Sequence, residues 1–225
     1  MPLLCTRGLS FRYAPDAPWL LRSLDLRLSP GDVLAARGAN GSGKSTLLRL
    51  LCGILPNEAG QERTGEVLLN DKPLAAMRLP EVAPHVNLLW QDPDQMLFFT
   101  RVEDEVAFAL ENLCLPVDEI NTRLESALDS LGLLPLRHAD PGSLSWGKRK
   151  LVALAALLAL DPAVLLLDEP FAGLDKPTAA RVSAVLHAYR EAHVLVAAVH
   201  DESLLPPPTQ RLFMPYMDGD TFAPT

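Results

Sequence analysis

Apolar residues recur along this chain with two periods, and the changes from one period to the other mark its elements. Pro30-Gly31 makes a turn ahead of an unbroken apolar run at 33–36, the pattern of a strand buried on both faces. After a glycine-rich interval the helical period takes over across 44–55. Leu47, Leu48, Leu51 and Leu55 share one face there, and Pro56-Asn57 ends the element. Residues 65–69 read as a strand closed by a turn at Asn70-Asp71, and another strand precedes Gln91.

From 92 to 143 the pattern is helical. Val102, Val106, Leu110 and Leu113 form one stripe, and Glu103, Asp104 and Glu105 occupy the first turn, where the helix dipole favours acids. A second helix covers 117–131, so this block reads as an inserted helical subdomain. Alternation then resumes: a helix to 160, a strand at 164–167, a helix near 179–192 and a strand at 194–199. Pro206-Pro207-Pro208 and a short final hairpin follow. Alternating strands and helices imply an α/β domain with a mainly parallel sheet covered on both faces.

The length of 225 residues suits one such domain. A net charge of −8, with no long basic run, argues against a nucleic-acid partner. Cys5, Cys52 and Cys114 form no C-x-x-C pair and are odd in number, which disfavours a disulfide framework or a zinc knuckle and suits a reduced, cytoplasmic setting. No signal peptide is expected, and the longest apolar run, 151–160, falls short of the roughly 20 residues that span a bilayer. Work at a membrane would therefore be as a peripheral subunit held by a partner.

Two motifs carry chemistry. Gly38-Ala39-Asn40-Gly41-Ser42-Gly43-Lys44-Ser45, followed by Thr46, matches G-x-x-x-x-G-K-[ST] between a strand and a helix. Its glycines let successive N–H groups wrap around phosphates, and the helix N-terminus adds positive dipole. Lys44 is placed to reach the β- and γ-phosphates of a nucleotide, and the Ser45 hydroxyl to bind Mg²⁺. The second motif is Val164-Leu165-Leu166-Leu167-Asp168-Glu169, an apolar strand ending in two acids. Asp168 would hold Mg²⁺ through water, and Glu169 would polarise an attacking water.

Together these residues resemble the ABC ATPase family across essentially the whole chain. Leu144-Ser145-Trp146-Gly147-Lys148 resembles the LSGGQ signature, Gln91 the Q-loop glutamine, Gly173-Leu174-Asp175 the D-loop and His200 the switch histidine. Tyr13, in Leu9-Ser10-Phe11-Arg12-Tyr13, resembles the aromatic A-loop residue that stacks on adenine. The resemblance implies a RecA-like P-loop core at 1–91 and 144–225, an N-terminal antiparallel β part, and a helical subdomain at 92–143. It also implies a head-to-tail dimer with ATP between phosphate loop and partner signature. Ser145 and Gly147 would then meet the partner's γ-phosphate, Gln91 would bind Mg²⁺, and His200 would hold the γ-phosphate near the water.

The stretch Gln91-Asp92-Pro93-Asp94-Gln95-Met96-Leu97-Phe98, with Val102-Glu103-Asp104-Glu105-Val106-Ala107-Phe108 and Glu111-Asn112-Leu113, resembles the ATPases of energy-coupling factor importers. These take up vitamins or transition-metal ions. The resemblance implies a second ATPase subunit, a transmembrane coupling protein and a place on the cytoplasmic face of the membrane. It also puts the acids at 103–105 beside the coupling protein's docking groove. The signature departs from the family pattern at Trp146 and Lys148: the indole can crowd the phosphate site or turn away and pack. That departure favours a heterodimer with a more regular partner. A soluble ABC ATPase and a weakly hydrolysing nucleotide switch remain the other two readings.

Overall fold

The computed structural model describes residues 3–214. Strands β1 (Leu4–Arg12), β2 (Leu21–Leu28) and β3 (Val33–Arg37) precede helix α1 (Lys44–Leu51). Then come β4 (Glu62–Leu69), β5 (Lys72–Pro73), the short α2 (Leu79–Val82) and β6 (Val86–Leu89). Helices α3 (Val102–Asn112), α4 (Val117–Ser130) and α5 (Trp146–Leu160) follow, then β7 (Val164–Asp168), α6 (Lys176–Tyr189), β8 (Val194–Ala198) and β9 (Gln210–Phe213).

Two sheets result. One is antiparallel, in the order β2-β1-β4-β5, and the other is a five-stranded parallel sheet, β6-β7-β8-β3-β9. The described part of the expected final hairpin is β9, which lies parallel beside β3; the rest of it falls after 214, outside the described residues. Helix α1 is shorter than the apolar period predicts. The Ile54 N–H reaches back 2.9 Å to the Arg49 carbonyl, turning the chain off the helix axis before Leu55.

The continuous apolar runs of the parallel strands divide by the period of two into separate cores. Leu34 and Ala36, Val164 and Leu166, and Val194 and Val196 face α1 and the antiparallel sheet. Val33 and Ala35, Leu165 and Leu167, and Leu195 and Ala197 face α3, α4, α5 and α6. Helix α1 therefore sits between the two sheets, which fixes the loop before it. Among the described residues no helix is long and apolar enough to cross a membrane.

The start of α3 departs from expectation. Its first amides are closed by the Arg137 and Ala139 carbonyls. Glu103 is taken up by Arg137 at 2.8 Å, Arg101 at 2.7 Å and His138 at 3.1 Å, and the Arg137 hydrogen bond holds its carboxyl below the usual range. Glu105 is buried and accepts hydrogen bonds from the N–H groups of Phe98 and Phe99. Two of the three acids expected at a docking groove thus serve the fold, and only Asp104 carries no such tie.

Candidate functional site

The loop from Gly38 to Gly43 leaves β3 and delivers the chain into α1. Gly43 sits at φ 96°, a left-handed conformation, and a Cβ there would lie 2.8 Å from Leu20 Cγ, so glycine is required twice over. Lys44 is buried and arches back over the loop, donating to the Gly38 carbonyl at 2.8 Å and the Ala39 carbonyl at 3.1 Å. Its ammonium is thereby held where a phosphate oxygen can replace either carbonyl. Tyr13 projects from the end of β1, packs edge-on against Phe11 with centroids 4.9 Å apart, and shares a 2.7 Å hydrogen bond between its hydroxyl and Thr46 Oγ1. With 46% of its surface open, the ring offers a free face for stacking.

Asp168 ends β7 and is buried, while Glu169 turns sharply away at φ 48°, a conformation unusual for a residue with a side chain. The Glu169 N–H donates to the Ala198 carbonyl on β8, which sets the carboxylate beside His200 just past that strand. Glu169 Oε1 lies 3.4 Å from His200 Nε2, yet it is buried and makes no hydrogen bond. Burial pushes the Glu169 carboxyl up, against the lowering effect of His200 and Lys44. A buried carboxylate beside His200, with one oxygen free of hydrogen bonds, suits the polarising of a water.

One cleft of about 560 Å³ gathers Tyr13, Asn40, Gly41, Gly43, Lys44, Ser45, Thr46, Gln91, Asp168, Glu169 and His200. Gly38 and Ser42 stand behind it; Ser42 Oγ is buried without a partner, 2.6 Å from where a Cβ on Gly38 would fall. The Ser45 hydroxyl, Gln91 amide and Asp168 carboxylate give the cleft a hard oxygen donor set, which fits Mg²⁺. Among the described residues no cluster of three or more His, Cys, Asp or Glu gathers as an alternative metal site.

Ser145 and Gly147 do not reach this cleft. They line a separate cavity of about 720 Å³ with Trp146, Gly173, Leu174 and Asp175. Ser145 caps α5, accepting from the Lys148 N–H, and Asp175 caps α6, accepting from the Thr178 N–H at 2.8 Å. Trp146 packs against Gly173, where an added Cβ would come within 2.4 Å of its Cζ3, and still lines the cavity onto which Ser145 and Gly147 open. Sequence reasoning missed Lys150, which is 1% exposed and donates from Nζ to the Glu169 carbonyl. Burial lowers its pKa to about 8. The signal was available, because helical phase puts Lys150 on one face with Leu154 and Leu157, both buried.

A strand–glycine loop–helix holding a lysine over its own carbonyls, facing an acidic strand end, defines a phosphate-loop nucleotide-binding domain. The profile of the ABC transporter family matches residues 21–172. The energy-coupling factor transporter ATP-binding protein EcfA of Methanocaldococcus jannaschii is 35% identical over 97% of this chain and 77% of its own length. EcfA of Methanothermobacter thermautotrophicus is 35% identical over 92% of this chain and 66% of its own. The structure of cbiO1 from Clostridium perfringens, described as part of the ABC transporter complex cbiONQ, superposes with a TM-score of 0.78 at 31% identity. That match covers 94% of this chain and 84% of that one. The chain belongs to the ABC transporter family and is an ATPase of the energy-coupling factor kind.

Proposed function

We propose that this chain hydrolyses ATP to drive an energy-coupling factor importer of metal ions or vitamins, bound peripherally at the cytoplasmic face through a transmembrane coupling protein. The observation that carries the catalytic part is the convergence of Tyr13, Lys44, Asp168, Glu169 and His200 on one cleft. In this reading Tyr13 stacks on the base, and Lys44 exchanges its loop carbonyls for the β- and γ-phosphates. Ser45 and Gln91, with Asp168 through water, would hold Mg²⁺, which neutralises phosphate charge when bound. Glu169 takes the proton of the water that attacks the γ-phosphorus as the bond to the β–γ bridging oxygen breaks, and His200 keeps that phosphate beside the water. Replacing Lys44 with alanine should abolish ATP binding in equilibrium dialysis. Undiminished binding would overturn the assignment of the loop.

The division of labour in space supports a dimer. Ser145 and Gly147 open on a different cavity from the phosphate loop, which suits service to a nucleotide on another subunit. We favour a heterodimer, because two copies of this chain would put Trp146 in both signatures. For the membrane partner, a groove of about 400 Å³ beside Gln91's segment supports docking. Phe98 and Phe99 line it with Asp94, Asp140 and Arg149, and Phe98 is 65% exposed while meeting Phe108 edge to face with centroids 5.2 Å apart. Asp94 is already paired with Arg149 at 2.6 Å and Asp140 accepts from the Gly142 N–H, so a coupling helix that presents apolar side chains to the phenylalanines matches that lining. The altered signature supports a second reading, weak hydrolysis at the partner site it completes.

A further inference from the structure

The signature helix and the candidate base of the same chain are physically joined. Lys150 lies one turn into α5, five residues beyond Ser145, and its side chain is enclosed. Its Nζ donates to the Glu169 carbonyl, which also accepts from the Ala172 N–H at 3.1 Å. The same ammonium stands 4.8 Å from the centroid of the Trp146 ring, and that ring in turn packs on Gly173. Glu169 is thus held at both ends of its peptide: its N–H by β8 and its carbonyl by the signature helix. Its φ of 48° needs such outside support, since an ordinary residue relaxes from the left-handed region when released.

We propose that Lys150 is a positioning residue for Glu169, through which the signature helix sets the backbone of the chain's own candidate base. This rests on the reading of Glu169 given above. If Ser145 and Gly147 engage the partner's nucleotide, any shift of the first turn of α5 moves Lys150 and Trp146 with it, because all belong to one rigid helix start. The signature's occupancy on one side of a dimer then reaches the carboxylate that works on the other. A lysine suits this link: its point charge faces the carbonyl while its stem fills the apolar helix face.

The test uses the full chain, in whichever assembly gives wild-type turnover, with Lys150→Met, Lys150→Gln and Glu169→Gln. The Met variant keeps the apolar stem as far as Cε and loses the donor; the Gln variant restores a neutral donor one bond nearer the backbone. We expect Lys150→Met to lower kcat at least fivefold with KM and ATP affinity within twofold, and Lys150→Gln to recover most of that loss. In the nucleotide-free chain, Lys150→Met should speed amide hydrogen exchange across residues 168–174 at least threefold, leaving the β3 peptide unchanged. Unchanged kcat and exchange in the Met variant, or a Gln variant as slow as Met, would overturn the proposal. Faster exchange in β3 as well would reassign Lys150 to the fold and overturn it too. Wild-type turnover in Glu169→Gln would instead reject Glu169 as the base, a separate failure.

Discussion

Glu105 offers the most direct way to separate the fold of the groove beside Phe98 and Phe99 from the nucleotide cleft. One oxygen, Oε1, accepts from the N–H groups of both Phe98 and Phe99, at 2.5 Å each, and thereby fixes the backbone that presents the exposed aromatics. Removing it with Glu105→Ala leaves two inward-facing N–H groups without their acceptor. Hydrogen bonds to a charged acceptor contribute about 1.5–3 kcal/mol each. Burial already raises the Glu105 carboxyl, so the charge itself works against the fold and part of that gain is lost. The net loss should be about 2–4 kcal/mol, which at a urea slope of about 2 kcal/mol/M lowers the midpoint by about 1–2 M. Glu105→Gln keeps a carbonyl oxygen for both N–H groups and sheds the charge, so it should cost less than about 1 kcal/mol. ATP binding should persist in both variants, because no cleft residue comes from α3. Capture of the coupling protein by Glu105→Ala should fall at least tenfold. A Gln variant as unstable as Ala would show that the charge, not the pair of hydrogen bonds, holds the segment, and would refute this account.

Glu169→Gln should trap ATP without hydrolysing it and also stabilise the nucleotide-free chain at pH 7. A carboxyl raised in the folded state lends its stability below the ordinary glutamate pKa and loses it as pH rises through the folded value. The gain in Tm over wild type should therefore shrink to nothing as pH falls to about 4, by differential scanning calorimetry across pH. Gly173→Ala should cost about 2–4 kcal/mol in urea unfolding, from a φ of +72° and a Cβ 2.4 Å from Trp146 Cζ3. Adding Trp146→Gly should return the steric share; additive losses would mean the ring does not press on Gly173. The chain purified alone should hydrolyse ATP at well under one turnover per second, and several turnovers per second in a phosphate-release assay would make the heterodimer unnecessary.

What the sequence exposes, and what it hides, follows from the range of each interaction. The phosphate loop is contiguous from Gly38 to Thr46, and its geometry follows from local backbone chemistry, so it is legible residue by residue. Asp168 and Glu169 are legible because two acids directly after an unbroken apolar run mark where the buried strand finishes, with Asp168 as its last residue. The structural ties of Glu103 and Glu105 were not legible, each for its own reason. Arg137 lies 34 residues from Glu103, and no helical pattern announces that pair. Glu105 is held by a loop that folds back on its own helix start, which a dipole argument cannot foresee. The direction of β9 was hidden for a similar reason, since its partner β3 is paired across most of the chain.

Trp146 looks in sequence like damage to a phosphate-binding turn. In the fold it is also a structural part, wedged between Gly173 and the Lys150 ammonium. A glycine at that position could contribute neither contact. Lys150 without the ring would face its burial with only the Glu169 carbonyl and two nearby carboxylates, Glu169 and Asp168, to offset it. The indole and the buried lysine are therefore best understood as one packed pair. The indole fills the space against the D-loop glycine and the lysine ties the signature helix to the acidic turn. This pairing leaves the chain's own phosphate loop untouched, because neither side chain lines that cleft. It concentrates the departure from the family pattern in the surface offered to another subunit. In the heterodimer proposed above, any cost of that departure would fall on the partner's site and not on this chain's own phosphate loop.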